Sequence, residues 1–151
     1  MKTILVPIDL SAATASVCEA ASELACSLNA KLVFLHIVQP PVITSDYGIP
    51  MENLEELVTV SEKAAAKQLA TLRDTYAAKG LQVEISQLIG APAPLILQEA
   101  RTRDVDYLVM GSHGHTAFYE FLVGTTTHGV LSRAPCPVVI IPDKVKGART
   151  R

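Results

Sequence analysis

The sequence is poor in the features that mark a special environment. Its formal net charge is only −2 over 151 residues, which argues against a strongly basic face for nucleic acid. Lys144, Lys146, Arg149 and Arg151 do make the end of the chain locally basic, where a solvated, frayed tail is the simpler reading. Apolar runs are short, and none approaches the roughly 20 residues that a membrane-spanning helix needs. Membrane insertion is therefore not expected. The opening "MKTILVPID" meets Pro7 and Asp9 before the apolar core of an export signal could form, so a cytoplasmic location is expected. The three cysteines, Cys18, Cys26 and Cys136, are odd in number and lack C-x-x-C spacing. Neither a disulfide framework nor a zinc knuckle fits them, and buried, inert thiols are expected at all three.

What the chain does have is apolar mass. A hydrophobic fraction of 49% with 19% charged residues and no low-complexity tract describes an ordinary globular protein. Its length suits a single domain with one sizeable core. We expect that domain to span residues 1–143, followed by a basic tail over 144–151.

Short apolar runs alternate with helical patterns. "KTILVPID", "KLVFLHIV" and "VDYLVMG" are nearly continuous apolar stretches, as in strands covered on both faces. "LQVEISQLI" alternates in part, like a half-exposed strand near a sheet edge, and "PVVII" is a last short strand. Strands are thus expected near residues 2–8, 31–38, 81–89, 106–111 and 137–141. Pro7 cannot donate to a ladder and should lie at the C-terminal end of its strand.

Between them, Val17, Ala20, Ala21, Leu24, Ala25 and Leu28 recur at helical spacing, with Ser11 as the expected N-cap and Asn29 as the stop. A second helix carries Leu54, Leu57, Val58, Ser61, Ala65, Leu69, Leu72 and Tyr76 on one face and closes at Gly80. Prolines open a third helix in "PAPLILQEARTRD", and a short one precedes the last strand. The alternation implies parallel strands joined by right-handed crossovers in a three-layer α/β/α fold. Ligands of such sheets bind at the carboxyl ends of the strands, where the strand order reverses.

The stretch "GSHGHTAFYEFLVGTTTHGVL" carries the chemistry. Gly111 and Gly114 remove Cβ atoms at the end of the fourth strand and let a ligand approach the main chain. Gly124 is followed by Thr125, Thr126 and Thr127 at an apparent helix start, where free N–H groups and hydroxyls make a phosphate cradle. One threonine would suffice for simple capping. Familiar fingerprints fail: Val130 and Leu131 stand where a Walker A loop needs lysine and serine or threonine, and no G-x-G-x-x-G follows the first strand. "PIDLS" also lacks the serine and glycine-rich turn of an adenylating pyrophosphatase loop.

This stretch resembles the G-2x-G-9x-G-[S/T] pattern of the nucleotide-binding universal stress proteins, with Gly111, Gly114, Gly124 and Thr125 in the motif positions. The likeness extends to "ILVPIDLS", to "HIV" at the end of the second strand and to "RAPCPVVII". It implies an adenine nucleotide alpha hydrolase-like fold, a five-stranded parallel sheet in order 3-2-1-4-5. It also implies ATP at the switch point and a homodimer paired through the last strand, Pro137, Val138, Val139, Ile140 and Ile141. Carried over by position, Pro7, Ile8 and Asp9 follow the first strand, Asp9 accepting from the ribose hydroxyls. Val38 would read adenine through its backbone. Met110, Gly111, His113 and Gly114 would line the ribose and phosphate approach. Gly124, Thr125, Thr126 and Thr127 would hold the phosphates, with Mg²⁺ bridging phosphate oxygens.

Two positions depart from the pattern. Gly129 falls inside the last helix at a cost of about 1 kcal/mol relative to alanine, and Thr125 replaces the usual serine. His113 and His115 form an H-x-H pair near His128, yet no carboxylate or cysteine stands at a ligand spacing beside them, so no protein metal site is assigned. His36, inside an apolar strand, reads as a hydrogen-bonded core histidine. Glu52, Glu55 and Glu56 suit a helix start without chemistry. The loop from Gln39 to Met51 is either a lid or a passive connection. No nucleophile has a partnered base, so no catalytic residue is assigned and at most slow ATP hydrolysis is expected. A nucleotide-free dimeric adaptor is the alternative, and the regulated protein partner is not legible.

Overall fold

The computed structural model describes residues 1–41, 51–112 and 123–142, the side chains of Met51 and Glu52 excepted. The elements run β1 (Thr3–Ile8), α1 (Thr14–Leu28), β2 (Lys31–Val38), α2 (Met51–Ala77), β3 (Val83–Ile89), α3 (Pro92–Thr102), β4 (Tyr107–Gly111), α4 (Thr125–Leu131) and β5 (Val138–Ile141). The five strands form one sheet of order β3-β2-β1-β4-β5, and every pairing is parallel. The expected order 3-2-1-4-5 is what the chain adopts. The basic tail lies outside the described residues.

Period-two alternation splits the interior into two cores. Ile4, Val6, Ile8, Leu32 and Phe34 pack against Cys18, Ala21 and Ala25 of α1 and Leu69 and Tyr76 of α2. On the other face Leu5, Val33, Leu35, Ile37, Leu108 and Met110 meet Ile96, Leu97 and Ala100 of α3 and Val130 of α4. A strand whose successive side chains enter different cores must be apolar throughout, which is why β1 and β2 show no polar face. β3 closes one side of the sheet and is accordingly half exposed.

Three sequence expectations need correction. Ser11 is not the N-cap of α1; Ala13 is, without a side-chain cap. Ser11 is spent on the preceding turn, its carbonyl accepting from Thr14 N–H at 3.1 Å and its hydroxyl from Ala13 N–H at 3.3 Å. Cys26 is exposed and Cys136 half-buried, leaving only Cys18 fully buried. Leu57 is 51% exposed, because α2 is buried only from Ala65 onward, at Ala65, Leu69 and Tyr76. The stop of α1 is as expected: Asn29 adopts the left-handed conformation, φ 50° and ψ 50°.

An ion-pair chain ties down the end of the sheet remote from the carboxyl termini. Lys31 and Arg103 both pair with Glu84, at 2.9 and 3.0 Å, and Arg103 also pairs with Glu99 at 2.6 Å.

Candidate functional site

The crevice arises from unequal strand pairing. β1 pairs with β2 through to Ile8 and His36, but its pairing with β4 covers only Ile4 with Tyr107 and Leu5 with Leu108. Beyond Leu5 the two central strands part. The Thr3 carbonyl accepts from Asp106 N–H at 3.0 Å, so by alternation the odd-numbered backbone groups of β1 face β4. Pro7 therefore places its missing donor on the side where pairing has ended. It is the penultimate residue of β1, as its chemistry requires.

After Ile8 the chain turns sharply. Leu10 has φ 60°, a left-handed conformation that disfavours a leucine by about 1 kcal/mol. Asp9 supports this turn, its Oδ1 accepting from Ser11 N–H at 3.0 Å. The same carboxylate lines the crevice.

At the end of β4, the Thr127 hydroxyl donates to the Gly111 carbonyl at 2.9 Å. Gly124 N–H donates to the Ser112 carbonyl at 2.7 Å. Gly124 is the extended N-cap of α4, at φ −66° and ψ 162°, and no side chain caps it. Two tethers thus pull the first turn of α4 against the glycine end of β4. With only seven residues, α4 contributes free N–H groups rather than a long dipole.

The result is a cavity of about 110 Å³. Of the sequence-derived candidates, Pro7, Ile8, Asp9, Met110, Gly111, Thr126 and Thr127 all line it, although β1 and β4 are about a hundred residues apart in sequence. Thr127 is buried and its hydroxyl proton is already used. Gly124 and Thr125 stand at the helix start without lining the cavity. Val38 lines an adjoining groove of about 400 Å³ that shares Asp9, Ile37 and Gln39 with the cavity. The Val38 carbonyl accepts from Gly90 N–H at 3.0 Å. His113 and Gly114 lie outside the described residues, as do His115 and most of the loop between Gln39 and Met51.

Sequence reasoning missed part of the wall. Leu35 and Ile37 line it from β2, Val17 and Thr14 from α1, and Pro92 and Ile96 from α3. Alternation along β2 held the signal for the first two and helical spacing marked Val17 as inward-facing; nothing local marked Thr14, Pro92 or Ile96 as facing a ligand. Thr14 Oγ1 is buried and, among the described residues, is the side-chain oxygen left without a hydrogen-bond partner. An orphaned buried hydroxyl is unfavourable by about 1–3 kcal/mol, and a polar ligand in the cavity is one way to relieve it.

His36 is hydrogen-bonded, its Nδ1 lying 2.9 Å from the Ile8 carbonyl, and it is half-buried rather than core. Among the described residues no cluster of three or more His, Cys, Asp or Glu side chains could hold a metal ion. Nor is any described helix long and apolar enough to cross a membrane.

The profile described as "Universal stress protein family" matches residues 1–142. The chain belongs to that family. It is 32% identical over 143 residues to the universal stress protein YxiE of Bacillus subtilis, covering 91% of this chain and 97% of that protein. In structure, this universal stress protein is similar to UspA from Lactobacillus plantarum, with a TM-score of 0.81, 27% identity, and 93% and 97% of the two chains covered. The fold extends to a universal stress protein family protein from Arabidopsis thaliana solved with AMP bound. There the TM-score is 0.65 at 18% identity, with 99% and 97% covered.

Proposed function

We propose that this universal stress protein binds ATP in the crevice between β1 and β4 and uses its occupancy as a regulatory signal. The observation that carries the reading is the convergence of Pro7, Ile8 and Asp9 with Met110, Gly111 and Thr126 around one cavity at the switch point. A relative of the same fold holds AMP. At about 110 Å³ the cavity is below the roughly 300–1,000 Å³ of ordinary ligand sites, so a nucleotide would continue into the adjoining groove at Val38.

In this reading Asp9 accepts from the ribose hydroxyls and Val38 contacts the base. The N–H groups of Thr125 and Thr126 meet the phosphates, with the Thr126 hydroxyl beside them, while Gly124 N–H stays committed to the Ser112 carbonyl. Thr127 acts chiefly as the tether that holds that turn to Gly111. His113 and Gly114 retain the roles their motif positions imply. Mg²⁺, when bound, would neutralise phosphate charge and take its ligands from phosphate oxygens and water.

The output would pass through α4. Its first turn contacts the phosphates and its end leads into β5, whose outer edge has no partner strand among the described residues. We infer a homodimer paired through Pro137–Ile141, stiffened when ATP orders the Gly124–Thr127 turn. The three free cysteines fit a reducing cytoplasm.

Calorimetric titration of Mg-ATP into the wild type and Asp9→Asn tests the reading. The substitution keeps an oxygen for Ser11 N–H and removes the charge, so affinity should fall about tenfold with folding intact. A wild type that binds no ATP would leave the dimeric adaptor as the function. Phosphate release that requires Asp9 would mark a slow ATPase.

A further inference from the structure

The groove beside the cavity is the more polar of the two spaces. Asp9, His36, Val38 and Gln39 line one side of it, and Ser61 and Gln68 of α2 the other. Asp9 lines the cavity as well, so the order groove, Asp9, cavity matches the order base, ribose, phosphate in a nucleotide. The question is which base the groove accepts.

Asp9 only accepts and is given to the ribose; His36 is the other side chain there whose hydrogen-bonding sense a neighbour sets. It is the register partner of Ile8, and its Nδ1 lies 2.9 Å from the Ile8 carbonyl oxygen. A carbonyl only accepts, so Nδ1 carries the hydrogen, and the neutral ring then presents Nε2 as a lone pair. Because Nδ1 is turned to β1, the ring edge left for a ligand is the one bearing Nε2. Gln39, Ser61 and Gln68 can each donate or accept after a rotation, so they satisfy any base and select none. A clamped acceptor does select, since a ligand acceptor brought against it leaves two lone pairs facing each other.

We propose that His36 is a specificity residue that selects 6-aminopurine nucleotides, its Nε2 accepting a hydrogen bond from the exocyclic amino group. The inference rests on the nucleotide reading above and deepens it. A 6-oxopurine, as in inosine or guanosine nucleotides, offers an acceptor at that position and is rejected.

The test is parallel calorimetric titration of Mg-ATP and Mg-ITP into the wild type and His36→Asn. Asparagine keeps a donor for the Ile8 carbonyl in place of Nδ1 and deletes Nε2. The wild type should prefer ATP by about tenfold, and His36→Asn should bind the two alike, ATP losing its acceptor and ITP gaining affinity as the opposed lone pair is removed. Should His36→Asn fail to fold, His36→Ala, which removes the ring altogether, is the second variant and should likewise bind the two nucleotides alike. A wild type that binds both nucleotides equally, or a variant that keeps the preference or weakens both ligands equally, overturns the role of His36 and leaves the nucleotide site standing. A wild type that binds neither overturns both.

Discussion

Thr127 donates its hydroxyl hydrogen to the Gly111 carbonyl across 2.9 Å, joining the first turn of α4 to the last residue of β4. Neighbouring Thr126 lines the cavity and makes no such bond among the described residues. The two threonines should therefore separate stability from binding. Thr127→Val keeps the shape and loses the donor, which should cost about 1 kcal/mol and lower Tm by about 2–4 °C. Thr126→Val should leave Tm within about 1 °C and weaken ATP severalfold. Thermal melting and calorimetry on the pair check both outcomes.

Gly129 looks like a defect in α4 from helix propensity alone, since alanine would gain about 1 kcal/mol there. The packing opposes that gain. A Cβ at Gly129 would lie 3.1 Å from the Ala93 Cβ of α3, so the glycine lets the two helices approach. Gly129→Ala should destabilise by about 1 kcal/mol net. Ala93→Gly in the same molecule should recover much of the loss, a coupling that denaturant unfolding of the four species would read.

Burial, and secondarily the charge of Glu19, pushes the Cys18 thiol from 9.0 to about 12. Burial also raises the Tyr76 hydroxyl from 10.0 to about 12, with Cys18 and Glu19 adding to it. Both groups hold their protons more tightly when folded, so their contribution is complete below the unfolded values. It is lost as pH climbs from 9.0, where an unfolded Cys18 ionises, towards about 12. Tm should fall above pH 9, and Cys18→Ala should flatten the decline between pH 9 and 10, before an unfolded tyrosine ionises. At pH 8 a thiol reagent should label exposed Cys26 rapidly and leave Cys18 unreacted.

β5 ends the sheet with Val139 37% exposed. A lysine on an edge strand opposes pairing with a second chain. If β5 forms the dimer, Val139→Lys should sediment as a monomer at concentrations where the wild type is dimeric, with its far-UV circular dichroism unchanged. Equal sedimentation of the two proteins would place the interface elsewhere.

Much of this molecule is written in local pattern. Continuous apolar runs at β1, β2 and β4 announce strands buried on both faces, because each must fill two cores. Asn29 ends α1 because its short polar side chain tolerates the left-handed conformation. The alternation of strands and helices leaves few parallel topologies open, and the motif resemblance at Gly111, Gly124 and Thr125 pointed to the end of β4, where Gly111 lines the cavity and Gly124 and Thr125 do not.

What the tertiary structure alone decided are relations across helices and between distant segments. Local sequence marked Thr127 as one of three equivalent hydroxyls; only its distance to Gly111 makes it a tether. Gly129 read as a weak helix former until Ala93 stood opposite it. Ser11 had the chemistry of a cap, and the turn held by Asp9 used it first. Sequence determined which segments are buried and extended or helical, since those preferences depend on near neighbours. The role of each polar group at the site depends on which partner folding brings within about 3 Å, and that distance is set by packing among elements far apart in the chain.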